Sequence, residues 1–487
     1  MKSILEAIRN HSFEQPDKLC IADYGIREYS YGEYWQLIQG FAAYLKKKGL
    51  NKGECIVIQA IQSALFTAAE GGIQLAGGIS VPVEKDAAEE KIDEIVKTTN
   101  AKFLIGTNAV LLNSDIFLNI HDIAEYIQQT KGDTDKVILP ESDDIAEILF
   151  TTGTTGDAKG VMISHSNNVA VAENIVYGVK MKPDNIELIP VPINHSYGLR
   201  SYYANMLNGS TVILIDGIAF LKNFFEAIDK HRVTSLALVP SAISMILKFS
   251  KNYISNYAEQ IDYVQSGTAI LSEDIKEALC RLLPNSRLYN FYGSTESGRC
   301  CIIDYSKEKG KPFCIGKPAY NAYFRIVDNE GNTIKSTREK IGHLACFGKM
   351  NMVGYWKDPE LTSRMNVDGY ILTNDLCFIE DGYIYYVGRQ GDIINVGGNK
   401  VIPAEVEEAA SKVECISDCV CIPAVDKFMG QVPKLLVVVK EGFEFDKQSI
   451  YDYLLKNLES FKVPKIIEQI GEIPRMYNGK IDRKALL

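Results

Sequence analysis

The chain has 487 residues, 46% hydrophobic and 23% charged, a composition that can bury more than one core and fits an enzyme of roughly two to four structural units rather than a binding tail. A formal net charge of -10 gives no electrostatic basis for binding nucleic acid or an anionic membrane surface. Eleven cysteines, an odd number with no paired metal-ligand spacing, point to a reducing compartment and away from a disulfide framework or a zinc site.

The first ten residues read as an amphipathic helix with charges interrupting each apolar stretch, and no later run approaches the length of a membrane span, so the chain reads as cytoplasmic with no integral membrane segment. Short apolar strands then alternate with helical patterns: Cys55-Ile-Val-Ile-Gln, Ile79-Ser-Val-Pro-Val, Thr211-Val-Ile-Leu-Ile and Ser235-Leu-Ala-Leu-Val. That alternation predicts an α/β architecture. Between them, Ile148-Leu149-Phe150 reads as a buried strand, and Val161-Met-Ile resumes the apolar pattern ten residues later. The intervening Thr151, Thr152, Gly153, Thr154, Thr155, Gly156, Asp157, Ala158, Lys159 and Gly160 make a strand, loop, strand hairpin. Its glycines let the backbone aim N–H groups at an anion, and its hydroxyls and Lys159 add donors and charge, so polyphosphate is the natural guest. The order Lys159-Gly160-Val161 differs from the Gly-Lys-Ser/Thr of the ordinary P-loop, which argues against a mononucleotide kinase or GTPase.

After about residue 300, Gly342, Gly354, Gly369, Gly382 and Gly388 punctuate short strands such as Tyr383-Ile-Tyr-Tyr-Val, the pattern of a β-rich subdomain at about 300–388. Beyond Gly388-Arg389 a helix entered by Pro403 places Val406, Ala409, Ala410 and Val413 on one face, and strands follow around Val420 and Leu435 to Val439. Cys415, Cys419 and Cys421 read as core residues of that helix-to-strand segment. The expected division is a large N-terminal α/β domain, 1–388, and a small mobile α+β lobe, 389–487. Near the end, Asn478-Gly479-Lys480 would be a plain basic terminus by itself; beside the phosphate hairpin it suggests a catalytic lysine carried on the small lobe.

These segments, with Asn290-Phe-Tyr-Gly-Ser-Thr-Glu296, Thr373-Asn-Asp375, Gly388-Arg389 and Pro474-Arg475 through Lys480, resemble in order and spacing the adenylate-forming superfamily of acyl- and aryl-CoA synthetases, peptide-synthetase adenylation domains and luciferases. Met352-Val-Gly-Tyr-Trp356 and Val401-Ile-Pro-Ala-Glu-Val-Glu407 add to a likeness that covers nearly the whole chain. The resemblance implies a large domain followed by a mobile lobe, and a reaction in two halves. A carboxylic acid attacks the α-phosphate of ATP to give an acyl adenylate and pyrophosphate; a thiol then displaces AMP. ATP, Mg2+ and coenzyme A or a phosphopantetheine arm are the implied cofactors, and a carboxylic acid is the implied partner.

The resemblance also assigns roles. Thr151 to Lys159 hold the β- and γ-phosphates; Gly267, Thr268, Ala269, Asn290, Phe291, Tyr292 and Gly293 line the nucleotide; Thr295 reaches the α-phosphate and Glu296 holds magnesium. Asp375 accepts the ribose hydroxyls, Arg389 adds a ribose contact, and Lys480 bridges the carboxylate and α-phosphate, where an ammonium lowers the repulsion of two anions. Gly391 stands at the hinge, where relatives carry Asp or Lys, and Gly397-Gly398 matches the stretch that a thiol arm approaches. In Pro192-Ile-Asn-His-Ser-Tyr-Gly-Leu199, His195 is the candidate gate of the acid pocket, and the lack of an aspartate there disfavours an α-amino acid. Tyr197, Tyr202, Tyr203 and Ser266 to Ala269 are expected to line a cleft for an aryl or short acyl acid, while Arg200 reads as a surface arginine, with a second substrate carboxylate as its other possible partner. A free-standing chain of this kind fits a CoA ligase; a ligase that loads a carrier protein and a non-catalytic nucleotide-binding scaffold are the alternatives.

Overall fold

The computed structural model describes residues 1–107, 115–130, 138–152, 158–269, 271–389, 391–397, 399–475 and 481–486. The strands among them form three sheets, of fourteen, seven and five strands. In the largest, Leu19–Asp23, Thr211–Leu214, Ile186–Ile189, Ser235–Leu238, Tyr263–Ser266 and Arg287–Ser294 lie side by side, all parallel. The middle strands are buried along their whole length, as strands covered by helices are, and carry a few buried polar side chains such as Gln265. Chain order reverses at Ile186–Ile189, which has the next strand in sequence on one side and Ser235–Leu238 on the other. From Arg287–Ser294 the sheet turns antiparallel through Gly298–Asp304 and Cys314–Pro318 into Tyr383–Arg389, Tyr370–Glu380, Gly342–Gly348 and Ala322–Val327, the β-rich stretch expected from its glycines.

The seven-stranded sheet contains the phosphate hairpin: Ile145–Thr152 pairs antiparallel with Ala158–Ser164 and parallel with Ile79–Glu84. Helix Tyr31–Lys47 starts at a capping box in which Ser30 and Glu33 satisfy each other's backbone N–H groups, and helix His165–Val179 starts at a second, built by Ser164 and Asn167. Tyr34, Phe41, Phe66, Ile189 and Tyr202 belong to the main core between these layers. Residues from Ile394 onward build the five-stranded sheet and a core of their own, in which Val406, Ala410, Cys419, Cys421, Leu435 and Ile450 are buried. Among the described residues, no helix is long and apolar enough to cross a membrane.

Candidate active site

The hairpin enters its loop in register, with Phe150 opposite Gly160 and Thr151 opposite Lys159. Thr151 and Lys159 therefore flank the mouth of the loop; Gly153, Thr154, Thr155 and Gly156, and the side chain of Thr152, lie outside the described residues. Gly160 is required by packing, since a Cβ there would stand 2.8 Å from Ile148 and 3.2 Å from Trp356.

A second segment is clipped to this hairpin. Gly354 and Tyr355 add a short strand against Met162 and Val161, and the Trp356 N–H donates to the Gly160 carbonyl at 2.7 Å. The same segment reaches the turn that follows Arg287–Ser294: the Met352 N–H donates to the Glu296 carbonyl at 2.7 Å, and the Tyr355 hydroxyl donates to Glu296 Oε1 at 3.0 Å. Burial, then the Glu296 charge, push the Tyr355 hydroxyl well above its ordinary pKa, so it remains a donor. Phosphate hairpin and carboxylate, far apart in sequence, are thus held by one tyrosine.

Thr295 and Glu296 are half-buried in a turn whose Ser297 N–H donates to Ser294 Oγ at 3.1 Å. The turn is tight because a Cβ on Gly293 would lie 1.9 Å from the Gly298 carbonyl oxygen, a distance only glycine permits. Beside it, Ser266 Oγ donates to Asn290 Oδ1 at 3.0 Å, tying the ends of two parallel strands together. Thr268 follows with φ +75°, a conformation that a β-branched residue adopts only under strain, and such strain concentrates at ligand clamps.

Asp375 lies inside strand Tyr370–Glu380, opposite Arg389 of the next strand. Its Oδ2 accepts from the Tyr292 hydroxyl at 2.5 Å, its Oδ1 from Arg389 Nε at 3.1 Å. Burial lowers the Arg389 pKa, but the Asp375 charge outweighs it and leaves the guanidinium above its ordinary value. A carboxylate offers about four lone-pair sites, so two remain for a ligand with two hydroxyls.

His195 precedes helix Ser196–Asn208, with Nε2 3.8 Å from Glu84 Oε1 and about a third of its side chain exposed. The preceding loop is braced by Gln62, whose amide donates to the Ile189 and Val191 carbonyls at 3.0 Å each. The three tyrosines separate. Tyr197 packs against Gly267, whereas Tyr202 points into the main core against Tyr34 at 2.8 Å, and Tyr203 donates to the buried Glu147 at 2.8 Å, so neither of these two lines a cleft. Arg200 is not on the surface: it is 1% exposed and pairs with Glu147 at 2.5 Å, so no substrate carboxylate is needed to balance it. Helical periodicity could not predict this, because both faces of Ser196–Asn208 are covered and every residue from Tyr197 to Met206 is buried.

Sequence reasoning passed over Arg299, fully buried next to Tyr197, and Tyr355; the signal for the latter was its place in Met352-Val-Gly-Tyr-Trp356. Gly391 is exposed with open space around its Cα, and Gly397, at φ +55°, packs against Met429. Lys480 and Gly398 lie outside the described residues. A cleft of about 440 Å³ opens between Phe313 and Glu405, Glu408, Lys412 and Lys462 of the C-terminal unit, away from every residue of this site.

Comparison with known proteins agrees with the geometry. The family description "AMP-binding enzyme" matches residues 8–356, and "AMP-binding enzyme C-terminal domain" matches 405–480. The chain is 28% identical to a peroxisomal OPC-8:0-CoA ligase of Arabidopsis thaliana over 94% of its own length and 88% of that protein's. It is also 28% identical to a long-chain-fatty-acid–CoA ligase of Bacillus subtilis (strain 168), over 100% and 94% of the two chains. Among solved structures it resembles ATP-bound MatB from Rhodopseudomonas palustris, with a TM-score of 0.91, 23% identity and 100% and 98% coverage. It also resembles the o-succinylbenzoate CoA synthetase MenE of Bacillus subtilis with its acyl-adenylate intermediate, with a TM-score of 0.84, 20% identity and 99% and 97% coverage.

Proposed function

The chain belongs to the AMP-binding enzyme family, and on that premise we propose that it is an ATP- and magnesium-dependent acid-thiol ligase that makes an acyl adenylate and passes the acyl group to coenzyme A in the cytoplasm. The observation that carries this reading is the convergence, outside the carboxyl ends of the parallel strands, of the phosphate hairpin, Glu296 and the Tyr292-Asp375-Arg389 trio. A mononucleotide kinase would carry Gly-Lys-Ser/Thr in its phosphate loop, which this chain lacks, and a binding scaffold has little need of a carboxylate fixed beside the hairpin by Tyr355.

Each group then has a task. Thr151 and Lys159 flank the β- and γ-phosphates, neutralising the pyrophosphate that leaves. Asp375, held by Tyr292 and Arg389, accepts from the ribose hydroxyls and fixes the nucleotide along the strand ends. Glu296 fits a magnesium ion, which takes one or two protein carboxylates and draws its other ligands from phosphate and water; no cluster of three acidic, His or Cys ligands occurs among the described residues. Bound there, the ion would supply charge neutralisation at the phosphates. The acid's carboxylate oxygen attacks the α-phosphorus past His195, with Thr295 at the phosphate and the Lys480 ammonium between the two anions. In the second half the thiol sulfur attacks the acyl carbon and AMP departs, after the C-terminal lobe turns about Gly391 and brings Gly397-Gly398 to the thiol arm.

The test is acid-dependent exchange of labelled pyrophosphate into ATP, followed by release of AMP on addition of coenzyme A. Exchange together with acyl-CoA formation supports the reading; ADP as product would sink it.

A further inference from the structure

The strand order locates the acid. Ligands of open α/β sheets lie outside the carboxyl ends of the strands where the order reverses, and here that point is Ile186–Ile189. The segment after it carries His195 and Tyr197; the segment after Tyr263–Ser266 carries Gly267. An acid whose carboxylate meets the α-phosphate beside Thr295 must therefore extend between Tyr197 and Gly267.

That passage is closed. A Cβ on Gly267 would stand 2.6 Å from Tyr197 Cε2 and 3.3 Å from the Phe291 carbonyl oxygen, so ring and backbone are already in contact. The ring is fixed from several directions. Its hydroxyl donates to the Gln265 carbonyl at 3.0 Å, and the Arg299 guanidinium lies 4.0 Å from the ring centroid while one Nη donates to the Tyr197 carbonyl. Behind the ring, among the described residues, lies a hydrogen-bonded polar layer. Arg299 also donates to Gln265 Oε1 and Ser201 Oγ, and the Gln265 amide donates to Glu187, all of them buried. Among the described residues, Arg299 Nε has no hydrogen-bond partner and Gln265 joins the guanidinium to the charge of Glu187, so this layer is charged and its acceptors are already taken. Methylenes pushed into it would strip hydrogen bonds from a desolvated cation without replacing them.

We propose that Tyr197, pinned by Arg299, is the end wall of the acid pocket, and that the enzyme accepts short acids and rejects long alkyl chains. Tyr197 is the specificity-determining residue and Arg299 positions it. The inference rests on the ligase reading but separates this chain from relatives named for long-chain acids.

The experiment is pyrophosphate exchange with acetate, butyrate, hexanoate, octanoate and benzoate, on the wild type, Tyr197→Ala, Arg299→Met and Arg299→Lys, with thermal unfolding as a check of folding. The wild type is expected to prefer butyrate to octanoate by about 100-fold in kcat/KM. Tyr197→Ala should raise the octanoate-to-butyrate ratio about 10-fold or more, chiefly through KM for octanoate. Arg299→Met should shift the ratio the same way, and Arg299→Lys should restore most of the wild-type ratio. Equal use of octanoate and butyrate by the wild type, or an unchanged ratio in folded Tyr197→Ala, overturns the end wall while leaving the ligase intact. Exchange with none of the five acids overturns the ligase reading itself.

Discussion

Two arginine-carboxylate pairs of this chain differ in how far water reaches them. Glu147 and Arg200 meet at 2.5 Å with side chains 0% and 1% exposed; Asp375 and Arg389 meet at 3.1 Å with Arg389 about half exposed. The first is walled in by Glu70 and Tyr203, and burial together with the Glu147 charge pushes the Glu70 carboxyl well above its ordinary pKa. In the second pair Asp375 is 9% exposed but Arg389 reaches the surface, and the carboxylate retains unused lone pairs. Burial makes the inner pair a structural fixture that ties the hairpin strand to the helix after His195, whereas exposure leaves the outer pair free to trade partners with a ligand.

The largest effect should come from breaking the inner pair. Arg200→Ala strands the Glu147 charge in the core, and urea unfolding should show a loss of about 3–5 kcal/mol, whereas Arg200→Met combined with Glu147→Gln should recover much of it. A loss under 1 kcal/mol would mean that the pair is not a structural fixture. The outer pair should behave differently: Asp375→Ala leaves the Tyr292 hydroxyl without its acceptor and is expected to cost about 1–3 kcal/mol in unfolding, less than Arg200→Ala, while lowering kcat/KM for ATP about 100-fold. Lys480→Ala belongs with it, lowering adenylation about 1,000-fold while a supplied acyl adenylate still reacts with coenzyme A. Equal loss of both half reactions would remove Lys480 from the first.

How far these pairs could be read in the sequence follows from where their partners come from. The phosphate hairpin is local, a run of glycine and hydroxyl residues between two apolar strands, so its shape was legible from composition alone. Asp375 was legible only through the family resemblance; alone it reads as a turn residue, yet it sits mid-strand because Arg389 and Tyr292 come from other strands to meet it. Arg200 had no local signal at all. Its partner lies on another sheet, and a charged residue in a helix reads as solvated unless the opposite wall is known. Arg299 was missed for the same reason.

A smaller effect tests whether the base of the hairpin is as rigid as the inner pair implies. His165 begins the helix after Ala158–Ser164; burial, opposed by Asp144 and aided by Lys52, lowers its pKa to about 4. The unfolded chain takes up a proton near pH 6.5, but the folded chain does so only near pH 4, so below 6.5 the unfolded state binds more protons and stability falls as pH drops. Between pH 7 and pH 5 the wild type should lose about 2 kcal/mol more than His165→Gln in urea titrations. Identical slopes would show that the imidazole is protonated in place.

The smallest effect concerns the tyrosine that joins hairpin and carboxylate. Tyr355→Phe keeps the ring among Val161, Ile163, Met352 and Leu361 and removes only the donor to Glu296 Oε1. Because that hydroxyl occupies one of about four acceptor sites, it orients the carboxylate without blocking a metal. The variant should lose about fivefold in kcat/KM for ATP at limiting magnesium, a cost of about 1 kcal/mol, and recover as magnesium is raised. A gain in activity at low magnesium would mean instead that the hydroxyl competes for the carboxylate. Glu296 would then belong with the self-satisfied inner pair rather than with the open outer one.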